Sequence, residues 1–290
     1  DEGSKAYDVK ITGLADGNTT PITVELFVGK GLNGVKVYHA EDTEAIAARY
    51  DRETGYVTFT TTSFSPFTVV YSAPAMTVDG AAYYDLTSAV TAAEEGSTIT
   101  FCKSTTEPMK LTLTEPMTVK NVIFKAAAGV HIAGLQLAST STQTRLTLDG
   151  IKFEGISFTD MVVIGQNSSS YGLAQCTNIT FDNCKFDLSA STETYPDAIK
   201  RMGGTVSGTI SEKEAVAYLN GLTVKNCEFV NVRYGVSAGK VRNTTVEGCS
   251  FTNCSSYAVR FEDVAGTLNV ISNTVNTAEG VLSINTVGNN

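Results

Sequence analysis

The sequence has no tryptophan, only two histidines and few charged residues, and each shortage narrows the functions open to it. Charged residues make up 18% of the 290 positions, and the formal net charge is −9. Nucleic-acid binding requires a clustered basic face, whereas the densest basic spot is Lys200–Arg201. No apolar run of about 18 residues occurs. We therefore expect no nucleic-acid partner and no membrane insertion.

The usual catalytic constellations are also missing. The chain contains no Ser/His/Asp set, nucleophile elbow or phosphate-cradling glycine loop, and its histidines, His39 and His131, lie far apart in sequence. Six cysteines occur, none of them in a zinc-binding spacing. The sequence therefore predicts no catalytic residue and leaves the protein uncertain as an enzyme, with a preference for a non-catalytic role.

Valine, threonine and phenylalanine are abundant, which favours strands over helices. Residues 1–74 alternate apolar and polar side chains between turn residues, and six strands in so short a span predict an Ig-like β-sandwich. The candidate strands are Tyr7–Thr12, Ile22–Val28, Val35–His39, Ala45–Arg49, Tyr56–Thr62 and Phe67–Tyr71. The segment Tyr50–Tyr71 resembles the closing hairpin of modular domains in large bacterial surface proteins.

A short linker, Ser72–Ala75, leads to a helix predicted over about residues 85–95. Asp85 is its expected N-cap and Gly96 its end. The stretch Tyr84–Phe101 is similar to the entry of bacterial β-helices of the pectin-lyase-like superfamily, in which an amphipathic helix caps the first coil. This resemblance implies an all-β fold over residues 77–290, a right-handed parallel β-helix with an N-terminal capping helix.

An internal repeat supports a solenoid independently of the resemblance. Its pattern is apolar, polar, apolar, two polar residues, apolar, any residue and aromatic. We align six segments: Met117–Phe124, Leu146–Phe153, Ile179–Phe186, Leu222–Phe229, Thr244–Phe251 and Leu268–Val275. The alternation of apolar and polar residues is interrupted once per segment, at a position where Asn or Gly is common. This interruption predicts a left-handed corner between two strands.

Stacking the coils predicts one interior aromatic ladder. Its expected members are Phe124, Phe153, Phe186, Phe229, Phe251 and Val275. Third strands are expected at Val130–Ile132, Val162–Ile164, Val236–Ala238, Val259–Phe261 and Val281–Ile284. Cys184, Cys227 and Cys249 share one inward position, where we interpret them as small buried apolar side chains; a disulfide between neighbouring coils stays an open alternative.

Two carboxylates are the candidate metal ligands. Asp149 and Asp182 follow equivalent positions of the repeat, and as neighbours across coils they form a candidate calcium site or acid/base pair. Lys120 and Lys225 occupy the same predicted row, so a solvated row of mixed charge is the favoured interpretation. The sequence thus predicts no cofactor, with a calcium ion at this pair as the alternative.

The candidate ligand-binding residues lie in a predicted insertion of about residues 188–220. Tyr195, Asp197, Lys200 and Arg201 combine an aromatic platform with hydrogen-bonding groups, and long loops on a rigid scaffold often carry binding residues. This combination favours sugar binding. The alternative is a loop that merely covers one side of the solenoid.

Together these features predict a non-catalytic, secreted or cell-surface bacterial protein for adhesion or carbohydrate binding. Its expected partner is a polysaccharide or a host or cell-surface glycan. Fold analogy implies a first alternative, a polysaccharide lyase or glycoside hydrolase. The second alternative is a structural spacer of a larger surface protein.

Overall fold

The computed structural model describes residues 2–9, 20–40, 42–63, 66–139, 145–166, 174–201, 219–277 and 279–285. The chain divides into two compact units, Asp1–Asp85 and Leu86–Asn290. It is mostly β, with small antiparallel sheets followed by a β-solenoid of about six turns. Within these ranges, no helix has the length and apolar character that crossing a membrane requires.

The first unit contains two three-stranded antiparallel sheets, ordered β1-β6-β3 and β2-β5-β4. Their strands are β1 (Glu2–Tyr7), β2 (Ile22–Phe27), β3 (Asn33–His39), β4 (Ala48–Tyr50), β5 (Tyr56–Thr61) and β6 (Phe67–Ser72). The rings of Phe59 and Phe67 lie 4.8 Å apart in the core. The first strand precedes its predicted position, Tyr7–Thr12, because Glu2–Tyr7 pairs along β6; Lys10–Thr12 lie outside the described residues.

A hairpin and a helix follow. The hairpin consists of β7 (Met76–Val78) and β8 (Ala81–Tyr83), which are antiparallel. Helix α1 (Leu86–Ala92) begins directly after the expected N-cap and buries Leu86, Ala89 and Val90. It is shorter than the predicted span of about residues 85–95. The hydroxyl of Thr87 accepts a hydrogen bond of 3.0 Å from the amide of Thr112, which ties the helix to the solenoid.

The solenoid strands all pair in parallel. They are β9 (Thr98–Phe101), β10 (Met109–Lys110), β11 (Met117–Lys120), β12 (Ile123–Ala126), β13 (His131–Ile132), β14 (Leu135–Ser139), β15 (Leu146–Asp149), β16 (Lys152–Glu154), β17 (Ser157–Phe158), β18 (Val162–Gln166), β19 (Ala174–Thr177), β20 (Thr180–Asp182), β21 (Lys185–Asp187), β22 (Ile199–Arg201), β23 (Leu219–Asn220), β24 (Thr223–Lys225), β25 (Glu228–Val230), β26 (Val236–Glu247), β27 (Ser250–Cys254), β28 (Tyr257–Ile271), β29 (Thr274–Thr277) and β30 (Gly280–Asn285).

Each coil passes through four faces, here called A, B, C and D. Face A contains β11, β15, β19 and β23, and face B contains β9, β12, β16, β20 and β24. Face C contains β13, β17, β21, β25, β27 and β29. Face D contains β10, β14, β18, β22 and β30. The long strands β26 and β28 run from face D through A into B.

Left-handed residues occur at more than one corner of a coil, and two of the corners carry one in coil after coil. The corner between faces A and B contains Asn121, Gly150, Asn178, Gly221, Asn243 and Gly266. The corner between B and C contains Gly155, Asn183, Asn226, Gly248 and Ser272. All have φ between 50° and 78°, as the sequence predicted for its six. A Cβ atom at Gly150 would overlap Oδ1 of the stacked Asn121, so a larger residue here would force that side chain to move, besides adopting a backbone conformation that favours glycine.

The single predicted aromatic ladder is wrong, because the phenylalanines form two. The face-B ladder contains Phe101, Phe124, Phe153 and Phe181, with neighbouring ring centroids 6.1, 5.1 and 4.6 Å apart. The face-C ladder contains Phe158, Phe186, Phe229 and Phe251, with spacings of 5.0, 5.0 and 4.7 Å. Phe153 pairs with Phe181 rather than Phe186. From the third segment onward, the sequence alignment therefore matched the corner between faces B and C to the corner between A and B.

The predicted insertion of about residues 188–220 is also partly wrong. Strand β22 (Ile199–Arg201) lies inside it and is a regular rung of face D, paired with Val162 and Val163 on one side and with Val236–Ala238 on the other. The third strand predicted at Val130–Ile132 belongs instead to face C, and the face-D rung of that coil is β14. Residues 202–218 of the insertion lie outside the described residues.

Candidate functional site

An aromatic and basic cluster lies at the turn that precedes face D. We call Tyr195, Lys200, Arg233, Tyr234 and Arg260 the Tyr–Arg patch. Tyr195 is 59% exposed. The guanidinium carbon of Arg233 lies 4.5 Å from the Tyr195 ring centroid and 4.6 Å from that of Tyr234. Arg233 thus contacts two aromatic rings at cation–π distance.

Backbone stacking brings these residues together from different coils. The amide of Arg233 donates a 2.8 Å hydrogen bond to the carbonyl of Pro196, and the amide of Ala198 donates one of 2.9 Å to the carbonyl of Tyr234. The turn of one coil therefore lies directly on the turn of the next. This stacking places Tyr195 beside Arg233 although they are distant in sequence.

Asp197 holds Arg233 in place from the buried side of the patch. Its side chain is 1% exposed, and its two oxygens accept hydrogen bonds of 2.7 and 2.6 Å from Nε and Nη2 of Arg233. Burial by itself lowers the pKa of Arg233, but the hydrogen bonds and charge of Asp197 outweigh this effect, so the pKa is raised. The two-pronged pair fixes the plane of the guanidinium. Asp197 is a support of the patch, and its buried carboxylate does not reach the surface where a ligand would lie.

Lys200 and Arg260 lie in one outward row of face D. The strand register pairs Lys200 with Ser237 and Ser237 with Arg260. Arg260 forms an ion pair with Glu262, and its guanidinium carbon lies 5.6 Å from the Tyr234 ring centroid. The row therefore adds polar donors beside the aromatic part of the patch.

Arg201, the fourth predicted ligand-binding residue, points into the solenoid. It is 2% exposed, and its Nη1 donates a 2.7 Å hydrogen bond to the carbonyl of Gly239. Burial raises the pKa of its neighbour Cys176 to about 11, although the positive charge of Arg201 opposes the rise. Arg201 is thus part of the interior, while Tyr195 and Lys200 lie at the surface.

Comparisons of the chain with protein-family profiles, curated proteins and solved structures find no match. Its function must therefore be argued from its own residues.

Arg233, Tyr234 and Arg260 were not predicted from the sequence. The local signal was weak, because each is a single aromatic or basic residue at the start of an ordinary coil. They gain significance only from the register that stacks them on Tyr195 and Lys200.

The two candidate metal ligands lie in different rows, so their predicted adjacency is wrong. Asp149 pairs with Thr177 and accepts hydrogen bonds of 2.7 Å from Thr177 and 3.1 Å from Asn178. Asp182 pairs with Glu154 and Lys225 instead. Among the residues that the structure describes, no three His, Cys, Asp or Glu side chains converge as a metal site. Calcium binding stays a prediction for two separate positions.

Asp182 lies in a row of mixed charge, between Glu154 and Lys225. Its Oδ2 lies 3.3 Å from Nζ of Lys152 and 3.2 Å from Nζ of Lys225. Burial is the largest single influence and raises its pKa, but hydrogen bonds and attraction from the two lysines outweigh burial, so the pKa of Asp182 lies below its ordinary value. The single predicted row is therefore two rows of mixed charge, one with Lys120 and Asp149 and the other with Asp182 and Lys225.

This lowered pKa predicts a pH-dependent contribution to stability. A carboxyl group whose pKa is lower in the folded chain stabilises the fold above its unfolded pKa, and the stabilisation disappears as the pH falls through the folded value. Asp182→Asn should therefore lower the free energy of unfolding by roughly 0.5–1 kcal/mol at neutral pH, with the loss shrinking in acid. Urea titrations at two pH values measure this. Glu228→Gln, in an exposed pair with Lys185, should have a smaller effect; an Asp182→Asn loss that is constant with pH contradicts the assignment.

A second surface feature is a depression on face C of about 370 Å³, lined by His131, Lys185 and Asp187 among others. His131 is exposed there, as the sequence predicted. Lys185 lies 3.5 Å from Glu228, and Asp187 accepts a hydrogen bond from Asn231. Because its lining offers no exposed tyrosine or phenylalanine ring, we rank this depression below the Tyr–Arg patch as a binding site.

Proposed function

We propose that the chain is a non-catalytic carbohydrate-binding protein of a bacterial cell surface or secretome, and that the Tyr–Arg patch contacts the glycan. The observation that carries the proposal is the exposed ring of Tyr195 held against a guanidinium that buried Asp197 fixes in place. The sequence resemblances support the same proposal, including a right-handed β-helix of the pectin-lyase-like type and an Ig-like first unit.

The chemistry of the patch suits a polysaccharide. An aromatic ring is amphipathic, with an apolar face for the C–H groups of a sugar and a polar edge. Arg233, Arg260 and Lys200 offer only donors, which match the hydroxyl and ring oxygens of a sugar. A fixed guanidinium loses little freedom on binding, and such preorganisation improves affinity.

Removing the exposed ring should weaken binding without weakening the fold. Tyr195→Ala should reduce affinity for the bound glycan about tenfold, since loss of one stacking contact costs on the order of 1.4 kcal/mol. A glycan array finds the ligand, and titration calorimetry measures the loss. Tyr56→Ala is the matched control, because this tyrosine is 41% exposed but lies in the first unit.

The outcomes separate the proposed function from its alternatives. Equal affinities of Tyr195→Ala and the unaltered chain remove the patch as the binding site. Cleavage of a polysaccharide by the purified chain supports the lyase or hydrolase alternative and overturns the non-catalytic role. If neither binding nor cleavage is found across a broad glycan panel, the spacer alternative replaces the proposal.

A further inference from the structure

Three cysteines stack in the corner between faces B and C. The register pairs Asp182 with Lys225 before this corner and Lys185 with Glu228 after it. The residues in between therefore also match, which places Cys184 beside Cys227. The amide of Glu228 donates a 2.9 Å hydrogen bond to the carbonyl of Cys184, in agreement with this register.

The same relation holds one coil further. Lys225 pairs with Glu247 and Glu228 with Ser250, so Cys227 matches Cys249. The amide of Ser250 donates a 2.9 Å hydrogen bond to the carbonyl of Cys227. All three cysteines are buried and all are free thiols. Cys227 therefore has a thiol neighbour on either side.

The distance between neighbouring strands determines which of these thiols can form a disulfide. Adjacent strands lie about 4.8 Å apart, within the roughly 4.4–6.8 Å range of Cα separations that disulfides adopt. Cys184 and Cys249 are two rungs apart, about 9.6 Å, which exceeds the limit. Only the two pairs that include Cys227 are open to oxidation.

We propose that this corner is a cross-linking site, in which Cys227 forms a disulfide with either Cys184 or Cys249 when the chain folds in the presence of a low-molecular-weight disulfide. The thiolate of one outer cysteine attacks the S–S bond of the oxidant, forms a mixed disulfide and releases one small thiol. The sulfur of Cys227 then attacks the protein sulfur of that mixed disulfide and releases the second. Two cysteine thiols lose their hydrogens and two electrons pass to the oxidant, which leaves as two small thiols.

The contacts among the sulfurs favour this order of steps. The Cys227 thiol can donate its one hydrogen to a thiolate at either Cys184 or Cys249, and this is the main reason that the pKa of each outer cysteine lies below its usual value. The same interactions raise the pKa of Cys227. An outer sulfur is therefore the first to become a thiolate, and the thiolate is the attacking species.

The two disulfides close loops of different length. A Cys184–Cys227 disulfide closes the longer loop, which contains Tyr195 and Asp197, whereas Cys227–Cys249 closes a single short coil. In the chain-entropy description, the longer loop gives the larger stabilisation. The oxidised chain should therefore melt several degrees above the reduced chain.

The test is a disulfide map of the full chain. The protein is refolded with mixed oxidised and reduced glutathione, alkylated, digested with trypsin without reduction and analysed by mass spectrometry. The peptide ending at Lys185 carries both Cys176 and Cys184, and the peptide ending at Arg260 carries both Cys249 and Cys254. Fragmentation of the linked peptides must therefore assign the sulfur. We expect Cys184–Cys227 and Cys227–Cys249 links. A Cys184–Cys249 link, a dominant link through Cys176 or Cys254, or complete alkylation of all six thiols overturns the proposal.

Substitutions provide a second readout. Cys227→Ala should abolish both links and the rise in melting temperature on oxidation, while Cys249→Ala should retain the Cys184–Cys227 link and the rise. Cys102→Ala is the control, since this cysteine lies outside the stack. If Cys227→Ala does not fold, the disulfide map of the unaltered chain still tests the proposal. Equal oxidation-dependent melting shifts in Cys227→Ala and the unaltered chain contradict the proposal.

Discussion

Replacing Phe229 with alanine is expected to lower the free energy of unfolding by about 3–5 kcal/mol, the usual loss for an aromatic side chain truncated in a core. Phe229 has 0% exposure. Its ring stacks on Phe186 at 5.0 Å and on Phe251 at 4.7 Å, nearly parallel to both. Truncation leaves a cavity between two rings that the backbone ladder holds apart, so the site has little freedom to collapse.

Chemical denaturation followed by circular dichroism measures the loss at Phe229. Phe27→Ala is the matched control, because this phenylalanine is 52% exposed in the first unit and its truncation should change stability far less. A Phe229→Ala loss below about 1 kcal/mol would mean that the face-C ladder is not a close-packed core.

The second large effect is expected at the Asp197–Arg233 pair. Breaking a buried pair from one side usually costs about 3–5 kcal/mol, because the remaining charge is buried without compensation. Arg233→Ala leaves Asp197 enclosed, whereas Asp197→Ala leaves an Arg233 side chain that is 26% exposed and able to turn to water. Arg233→Ala should therefore be the more destabilising substitution of the two.

The pH dependence of the Arg233→Ala variant distinguishes a lost charge pair from simple loss of packing. Without Arg233, the buried carboxylate of Asp197 has no positive charge to compensate it, and burial disfavours a charged group. Adding a proton removes that charge, so acid should relieve the penalty. The stability gap between Arg233→Ala and the unaltered chain should narrow as the pH falls from about 7 toward 4. A gap independent of pH would contradict this account, and the double substitution gives the coupling energy.

The solenoid and its left-handed corners were predictable because both follow from the local alternation of apolar and polar side chains. What the sequence did not reveal was that one coil contains two corners with the same local pattern. Ala174–Phe181 matches the repeat as well as Ile179–Phe186 does, and Ile151–Phe158 fits the same template. An eight-residue pattern that occurs twice per coil has two consistent alignments, and only strand pairing separates them.

The binding patch was predictable only in part, for a different reason. Tyr195 and Lys200 were identified from side-chain chemistry, but the alignment error hid that Ile199–Arg201 form a rung of the solenoid. A strand alternates its side chains between two faces, so Lys200 points outward while Arg201 is buried. Arg233 could be assigned to the patch only once the coil stacked on Pro196 was known.

The stacking of face C on itself, rung upon rung, makes the protein behave thermodynamically as a nearly one-dimensional column. Each rung gains its free energy from the rung on either side, so stability is a sum of nearest-neighbour terms rather than the property of one central core. A defect at Phe186 or Phe229 therefore weakens the rungs on both sides of it. Damage to one rung of face C should therefore be felt first by its immediate neighbours.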